Sequence, residues 1–242
     1  MVSSLIGPDF SQAPIVSFNL VGTQIYIPIP DECNQDTKCS ESNIVSLDDE
    51  SIYNIKNPDY LLIKHLLKTK FRYLDGSDEL EAGQIRVEMD VLKIDSYRPA
   101  DCNSVFRKSE FLDFYFYLVQ YEERKMRDPE NREKDDKYLI YPQCRDDIKE
   151  LNYDGSSSWL FAICGYAEVT RPYRTFVTPI TNNHVLSIMV SISGFDFGSV
   201  ELEQQLVAEA DQYILDFIKS IRIDYSPETL AEIQRVRGDV TA

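Results

Sequence analysis

Histidine is nearly absent from this chain, glycine is sparse and no apolar run is long, and each shortage removes a class of function. His65 and His184 are the only imidazoles, so a hydrolytic triad has two possible bases. His65 sits inside an apolar pattern and His184 at the junction of a turn and a strand. Neither has a G-x-S-x-G or Cys-His signature beside it, which favours structural roles. The nine glycines form neither a G-x-x-x-x-G-K-S/T loop nor a G-x-G-x-x-G turn, so the common phosphate cradles are missing. The apolar stretches fall far short of the roughly 18 residues that a membrane span needs. Met1 to Ser11 has no Lys or Arg and no apolar core, unlike a signal peptide. The expected location is cytoplasmic, or periplasmic if a leader has been removed.

Positive charge is the other shortage. Lys and Arg number 25 against 41 Asp and Glu, a net charge of −16. Nucleic acid and anionic membranes both demand a positive face, so neither is an expected partner, and no membrane insertion is expected. Cysteine is odd in number: Cys33, Cys39, Cys102, Cys144 and Cys164. Cys33 and Cys39 bracket a short polar loop that a disulfide would close in an oxidising compartment. Structural zinc prefers closely spaced Cys pairs completed by His, so no metal and no cofactor are expected.

What is present is globular. Hydrophobic residues are 43% and charged residues 27%, which supports one globular domain over 1–242. A flexible N-terminal tail over about 1–13 and a charged loop near 123–137 are expected at its surface. Val16, Phe18 and Leu20 alternate with polar residues, Gly22-Thr23 offers a turn, and Ile25, Ile27 and Ile29 alternate again as far as Pro30. This predicts a β-hairpin. Asn57-Pro58-Asp59 reads as a helix start, and Leu62, Ile63, Leu66 and Leu67 recur at helical spacing before Phe71 and Tyr73 switch to period two. DGSDELEAG then forms a hairpin loop leading into Ile85, Val87, Met89 and Val91, the clearest strand.

Ser104 to about Arg127 carries a helix with Phe106, Leu112, Phe116 and Val119 inward. Short strands are expected at Lys137 to Tyr141 and at Trp159 to Cys164, the latter buried on both faces. Tyr173 to Ile180 and His184 to Ile192 pair across Thr181-Asn182-Asn183, where Asn tolerates positive φ. Ser199 caps an amphipathic helix with Leu202, Leu206, Ala210, Tyr213, Phe217 and Ile221 on one face. Pro227 to Val236 forms a small terminal helix. Strand pairs that are hairpins predict an α+β fold, a mostly antiparallel sheet packed with helices.

Chemistry-bearing clusters are few. With 41 acids, no carboxylate pair stands out as a hydrolase centre, though a hydrolase remains the alternative class. Asp75-Gly76-Ser77-Asp78-Glu79 lacks the calcium-loop order. The run Phe111 to Tyr117 is too aromatic for one buried face, so Tyr115 and Tyr117 are candidate partner contacts. The acidic clusters Asp48-Asp49-Glu50 and Asp75, Asp78, Glu79, Glu81 are the other candidates, suited to steering a basic protein.

The strand Ile25-Tyr26-Ile27-Pro28-Ile29-Pro30, the Phe-rich middle helix, and the closing hairpin with a helix ending Phe217-Ile218-Lys219-Ser220-Ile221 resemble the PsbP-like α/β/α sandwich. They are similar in style to bacterial immunity proteins, including those paired with type VI secretion effectors. The resemblance covers mainly 15–30 and 158–223. It implies a non-enzymatic inhibitor that occludes a cognate toxin's active site as a 1:1 complex. An accessory or assembly factor of PsbP-like fold is a further alternative.

Overall fold

The computed structural model describes residues 5–31, 37–53, 62–76, 80–95, 97–127, 139–153, 158–166, 172–194 and 200–238. Alternation of apolar and polar side chains builds its larger sheet. The strand order is β1 (Leu5–Ile6), β6 (Leu62–Asp75), β7 (Glu81–Lys93), β12 (His184–Gly194), β11 (Tyr173–Thr181), β10 (Trp159–Tyr166) and β8 (Leu139–Ile140). Every pairing in it is antiparallel, with β4 (Lys38–Cys39) also on β6 and β9 (Lys149–Leu151) also on β10. Short strands therefore cover parts of both outer edges, which limits edge-to-edge pairing with other chains. A smaller sheet runs β13 (Arg222–Asp224), β3 (Thr23–Pro28), β2 (Ile15–Leu20) and β5 (Ile44–Val45), the last pair parallel. With helices α1 (Lys108–Arg127), α2 (Val200–Ser220) and α3 (Pro227–Gly238), the fold is α+β.

The larger sheet separates two cores. On its inner face Ile85, Val87, Met89 and Val91 of β7 and Leu186, Ile188 and Val190 of β12 are wholly buried. They belong to one cluster with Phe18, Ile25 and Ile27 of the smaller sheet and Leu206, Ala210, Ile214, Phe217 and Ile218 of α2. Each such side chain contributes about 1.5–3 kcal/mol on burial. On the outer face α1 covers only one side: Phe114, Tyr115 and Leu118 meet Leu160, Ala162, Cys164, Val177 and Val185. Arg174, 7% exposed at its side chain, joins β11 to α2 through two hydrogen bonds to Asp211, of 2.7 and 2.9 Å.

Several expectations are corrected. Leu62 to Leu67 belongs to the strand β6 and not to a helix; the register shifts between His65 and Leu67, so Leu66 and Leu67 are buried side by side. That bulge imitates helical spacing. The hairpin loop is shorter than DGSDELEAG, because β7 begins at Glu81 and Asp75 N–H already donates to Leu80. Leu5 to Phe10 is docked rather than a free tail: Leu5 is 6% exposed and Phe10 packs against the core. Glu123 to Arg127 is the last turn of α1, not loop. The inward face of α1 is Phe111, Phe114, Tyr115 and Leu118 with Val119, while Leu112 and Phe116 are half-buried. Within Trp159 to Cys164, Ile163 is 38% exposed, so β10 is not sealed on both faces.

Asn182 and Asn183 keep negative φ; they serve the turn by hydrogen bonding. Asn182 accepts from Val105 N–H through its side chain and from Arg98 through its carbonyl, and the Asn183 carbonyl accepts from Ile94 N–H. Asn57-Pro58-Asp59, Ser199 and Cys33 lie outside the described residues. So does the expected Cys33–Cys39 closure; Cys39 carries a free thiol.

The β2–β3 turn is Val21-Gly22, with φ of 51° and 86°, the mirror-image turn that suits a twisted hairpin. Asn19 Oδ1 accepts from Gly22 N–H at 2.8 Å. A β-branched residue at positive φ is strained. Val21→Asn is therefore expected to stabilise the fold by about 1 kcal/mol, read as a higher urea midpoint at unchanged slope.

His184 is 5% exposed, stacks on Tyr53 and places Nδ1 2.9 Å from Thr181 Oγ1. Burial holds its pKa below the ordinary value, against the pull of Asp95 and Asp48 and with help from Lys93. The unfolded chain takes up a proton near pH 6.5 that folded His184 resists. Stability is thus full above that pH and falls below it, by up to about 1.4 kcal/mol per pH unit. Urea unfolding at pH 7.5 and 5.5 is expected to show a smaller acid loss in His184→Phe than in the parent.

Candidate functional site

The two acidic clusters do not converge. Asp49 caps the turn at 50–52, accepting from the Ser51 amide at 2.9 Å and its hydroxyl at 2.6 Å, which hold its carboxyl below the usual range. Glu50 pairs with Lys93 at 2.9 Å, and Asp95 lies 3.8 Å from the same ammonium. Asp48 is exposed beside them. The second cluster is at the far end of the β6–β7 hairpin, since Leu62 pairs with Lys93 while Leu74 pairs with Glu81. That strand length is roughly 40 Å, more than the ~30 Å breadth of a standard interface patch. Glu81 is 4.0 Å from Arg72. Asp78 and Glu79 lie outside the described residues.

Two candidates are withdrawn as surface contacts. Asp75 is only 8% exposed, under β1. Tyr115 is 1% exposed, and its hydroxyl donates to the Thr175 carbonyl at 3.4 Å; it is packing. Tyr117 remains at the surface, 41% exposed, with the Arg124 guanidinium 5.9 Å from its ring centre.

A groove of about 630 Å³ that the acidic clusters did not announce lies between the 7–11 segment and α2. Its outer wall is a strap. Leu5 N–H donates to Glu209 Oε2 at 3.1 Å, and the Tyr213 hydroxyl donates to the Leu5 carbonyl at 3.3 Å. Gly7 is dictated by packing, because a Cβ there would sit 2.5 Å from the Tyr213 ring. Phe10 plugs the floor, 5.2 Å from Phe71 and 5.3 Å from Phe217 between ring centres. Asp9 accepts from the Ser11 hydroxyl and from Ser11 N–H at 2.8 Å, and both contacts hold its carboxyl below the usual range.

The groove combines an apolar floor, from Pro8, Phe10 and Tyr213, with carboxylates of Asp9 and Asp216 and the ammonium of Lys219. An aromatic floor with carboxylates at the rim suits the stem and head of an Arg or Lys side chain. The strap continues into Ile6, 47% exposed, which pairs with Leu74 one step from the turn bearing Leu80, 66% exposed, and Glu81. Ile6, Leu74 and Glu81 share the open face of the larger sheet, whereas α2 walls the groove on the covered side, so the second acidic cluster does not line the groove. Sequence reading missed it because its walls come from residues 7–11 and 213–220. The available signal was Phe10, an isolated large apolar residue amid Gly, Pro and polar neighbours.

A second polar cluster lies under α1. The Tyr173 hydroxyl is 3.3 Å from that of Tyr141 and 3.4 Å from Glu122 Oε2. Burial pushes Tyr141 up to about 12, and burial followed by the Glu122 charge pushes Tyr173 higher still. Both phenols stay protonated and act as donors. No helix among the described residues is long and apolar enough to cross a membrane.

Comparison with protein-family models, curated proteins and solved structures gives no match. The chemistry of the groove therefore carries the functional reading by itself.

Gly7→Ala is expected to force Tyr213 or the strap outward, at about 1–3 kcal/mol. Limited proteolysis should then cut near residues 5–13 faster than in the parent, with the rest of the chain cut at an unchanged rate.

Proposed function

We propose that this chain is a non-enzymatic acidic binding protein of the immunity or inhibitor type, which covers the active site of a basic cognate bacterial toxin in a 1:1 complex. The observation that carries the reading is the groove, whose aromatic floor, with two carboxylates (Asp9 and Asp216) against one ammonium (Lys219), favours a cationic side chain. Ile6 and Leu80, at the hairpin end of the larger sheet, are exposed apolar side chains that a partner reaching past the groove would desolvate. The net charge of −16 speeds encounter with a positive partner. The pattern-level resemblance to effector-immunity proteins points the same way.

In this mechanism the field brings the partner to the acidic end, a Lys or Arg enters the groove, and the rim excludes water. Charge on the rim then governs association and the floor governs residence.

Products of genes adjacent to this one are the partners to test by size exclusion and stopped flow. A 1:1 complex is expected whose association rate falls with salt. Asp9→Arg combined with Asp216→Arg should slow association about tenfold at low salt. Failure of every neighbouring product to bind would overturn the immunity reading, and an unchanged rate in the double variant would overturn the groove as the interface.

A further inference from the structure

The half of the outer sheet face that α1 leaves open has the opposite charge to the rest of the molecule. Residues directly paired across strands point to the same face. Lys38 of β4 is paired with Lys68 of β6, and Lys70 of β6 with Arg86 of β7. Arg72 lies two positions beyond Lys70, on that same face. Five cations thus share a surface with Glu81, Glu88 and Asp90. Glu88 is bound to Lys68, Asp90 holds His65 at 2.5 Å, and Glu81 is 4.0 Å from Arg72. Among the described residues no carboxylate is paired with Lys38, Lys70 or Arg86.

Like charges directly opposite one another destabilise a sheet. This face has two such pairs, in a chain with far more acids than bases. Nothing in the packing requires it, because Arg86 and Lys38 are exposed and Lys70 is half-buried. A hollow of about 300 Å³ adjoins the first pair, lined by Lys38, Ser40, His65, Lys68 and Glu88. The Ser40 hydroxyl there is buried and has no hydrogen-bond partner. Ser191 is paired with Arg86 and Ser193 with Gln84, and they extend the donor surface across β12.

We propose that this face is a binding site for a small molecule bearing two or more phosphate groups. Successive cations stand about 7 Å apart along β6 and about 5 Å apart across strands, so one compact polyanion reaches several of them. Its charge relieves the repulsion between Lys70 and Arg86 and between Lys38 and Lys68. The excess of acid elsewhere is screened beyond about 8 Å at physiological salt, so the local field governs a small ligand. A long polyanion such as nucleic acid would run off this patch onto acidic surface, and among its described residues the patch presents no row of aromatic rings for bases to stack on.

The test is calorimetric titration of the full chain with tripolyphosphate and with inorganic phosphate at low salt. Amide chemical shifts locate the site. Tripolyphosphate is expected to bind more tightly than phosphate and to perturb β4, β6 and β7. Lys70→Gln with Arg86→Gln should weaken binding at least about tenfold. The same double variant should unfold at a higher urea midpoint without ligand, since a like-charge pair has gone. The proposal is overturned by no tripolyphosphate binding up to about 1 mM, by equal binding in the double variant, or by a midpoint that falls. Tighter binding of a single-stranded oligonucleotide through Lys70 and Arg86 would overturn the choice of ligand class.

Discussion

Burial of one face of the β6–β7–β12 ribbon is the constraint on which the rest of this structure depends. Ile85, Val87, Met89 and Val91 on one strand and Leu186, Ile188 and Val190 on its neighbour have no exposed surface. Something must cover them. The chain uses two covers of different kinds, the small sheet from residues 15–28 and the helix from 200–220. The N-terminal strap is then a seal along the gap between helix and strand β6. The groove exists because that seal is incomplete.

The opposite face of the sheet obeys no such requirement over its whole extent: α1 covers β10, β11 and the Leu92–Val185 end of β7 and β12. The remainder can carry charge without burying it. The molecule is consequently polarised through its thickness: carboxylates of α2 and the strap lie on the covered side, and paired cations lie on the open side. A net charge describes neither surface. The acidic total of the chain speaks for encounter at long range, while contact chemistry depends on which side is presented.

Elements with a sustained period were legible before any coordinates. Val87 to Val91, Leu186 to Val190 and Leu206 to Phe217 each repeat long enough to fix both type and face. Failures occurred where the period was interrupted or too short. β1 is two residues long and has no pattern at all. The aromatic run of α1 gave the right helix and a shifted face, because Phe and Tyr occur on all its sides. Candidate site residues fared worse. Asp49 and Glu50 stand together in sequence because a turn needs a cap and Lys93 needs a partner, which are local structural duties. The groove joins residues some 200 positions apart, and no local pattern reports such a meeting.

The bulge at Leu66 has a consequence for how this gene can vary. Side chains alternate along a strand, so one extra residue reverses every orientation that follows it. With Leu66 in place, Phe71 and Tyr73 reach the core while Lys68, Lys70 and Arg72 face outward. Without it, the three cations would be directed into the interior and two aromatic rings into solvent. The number of residues between His65 and Leu67 is therefore more constrained than the identity of any one of them. Homologous chains should tolerate many substitutions in this segment and no single-residue insertion or deletion.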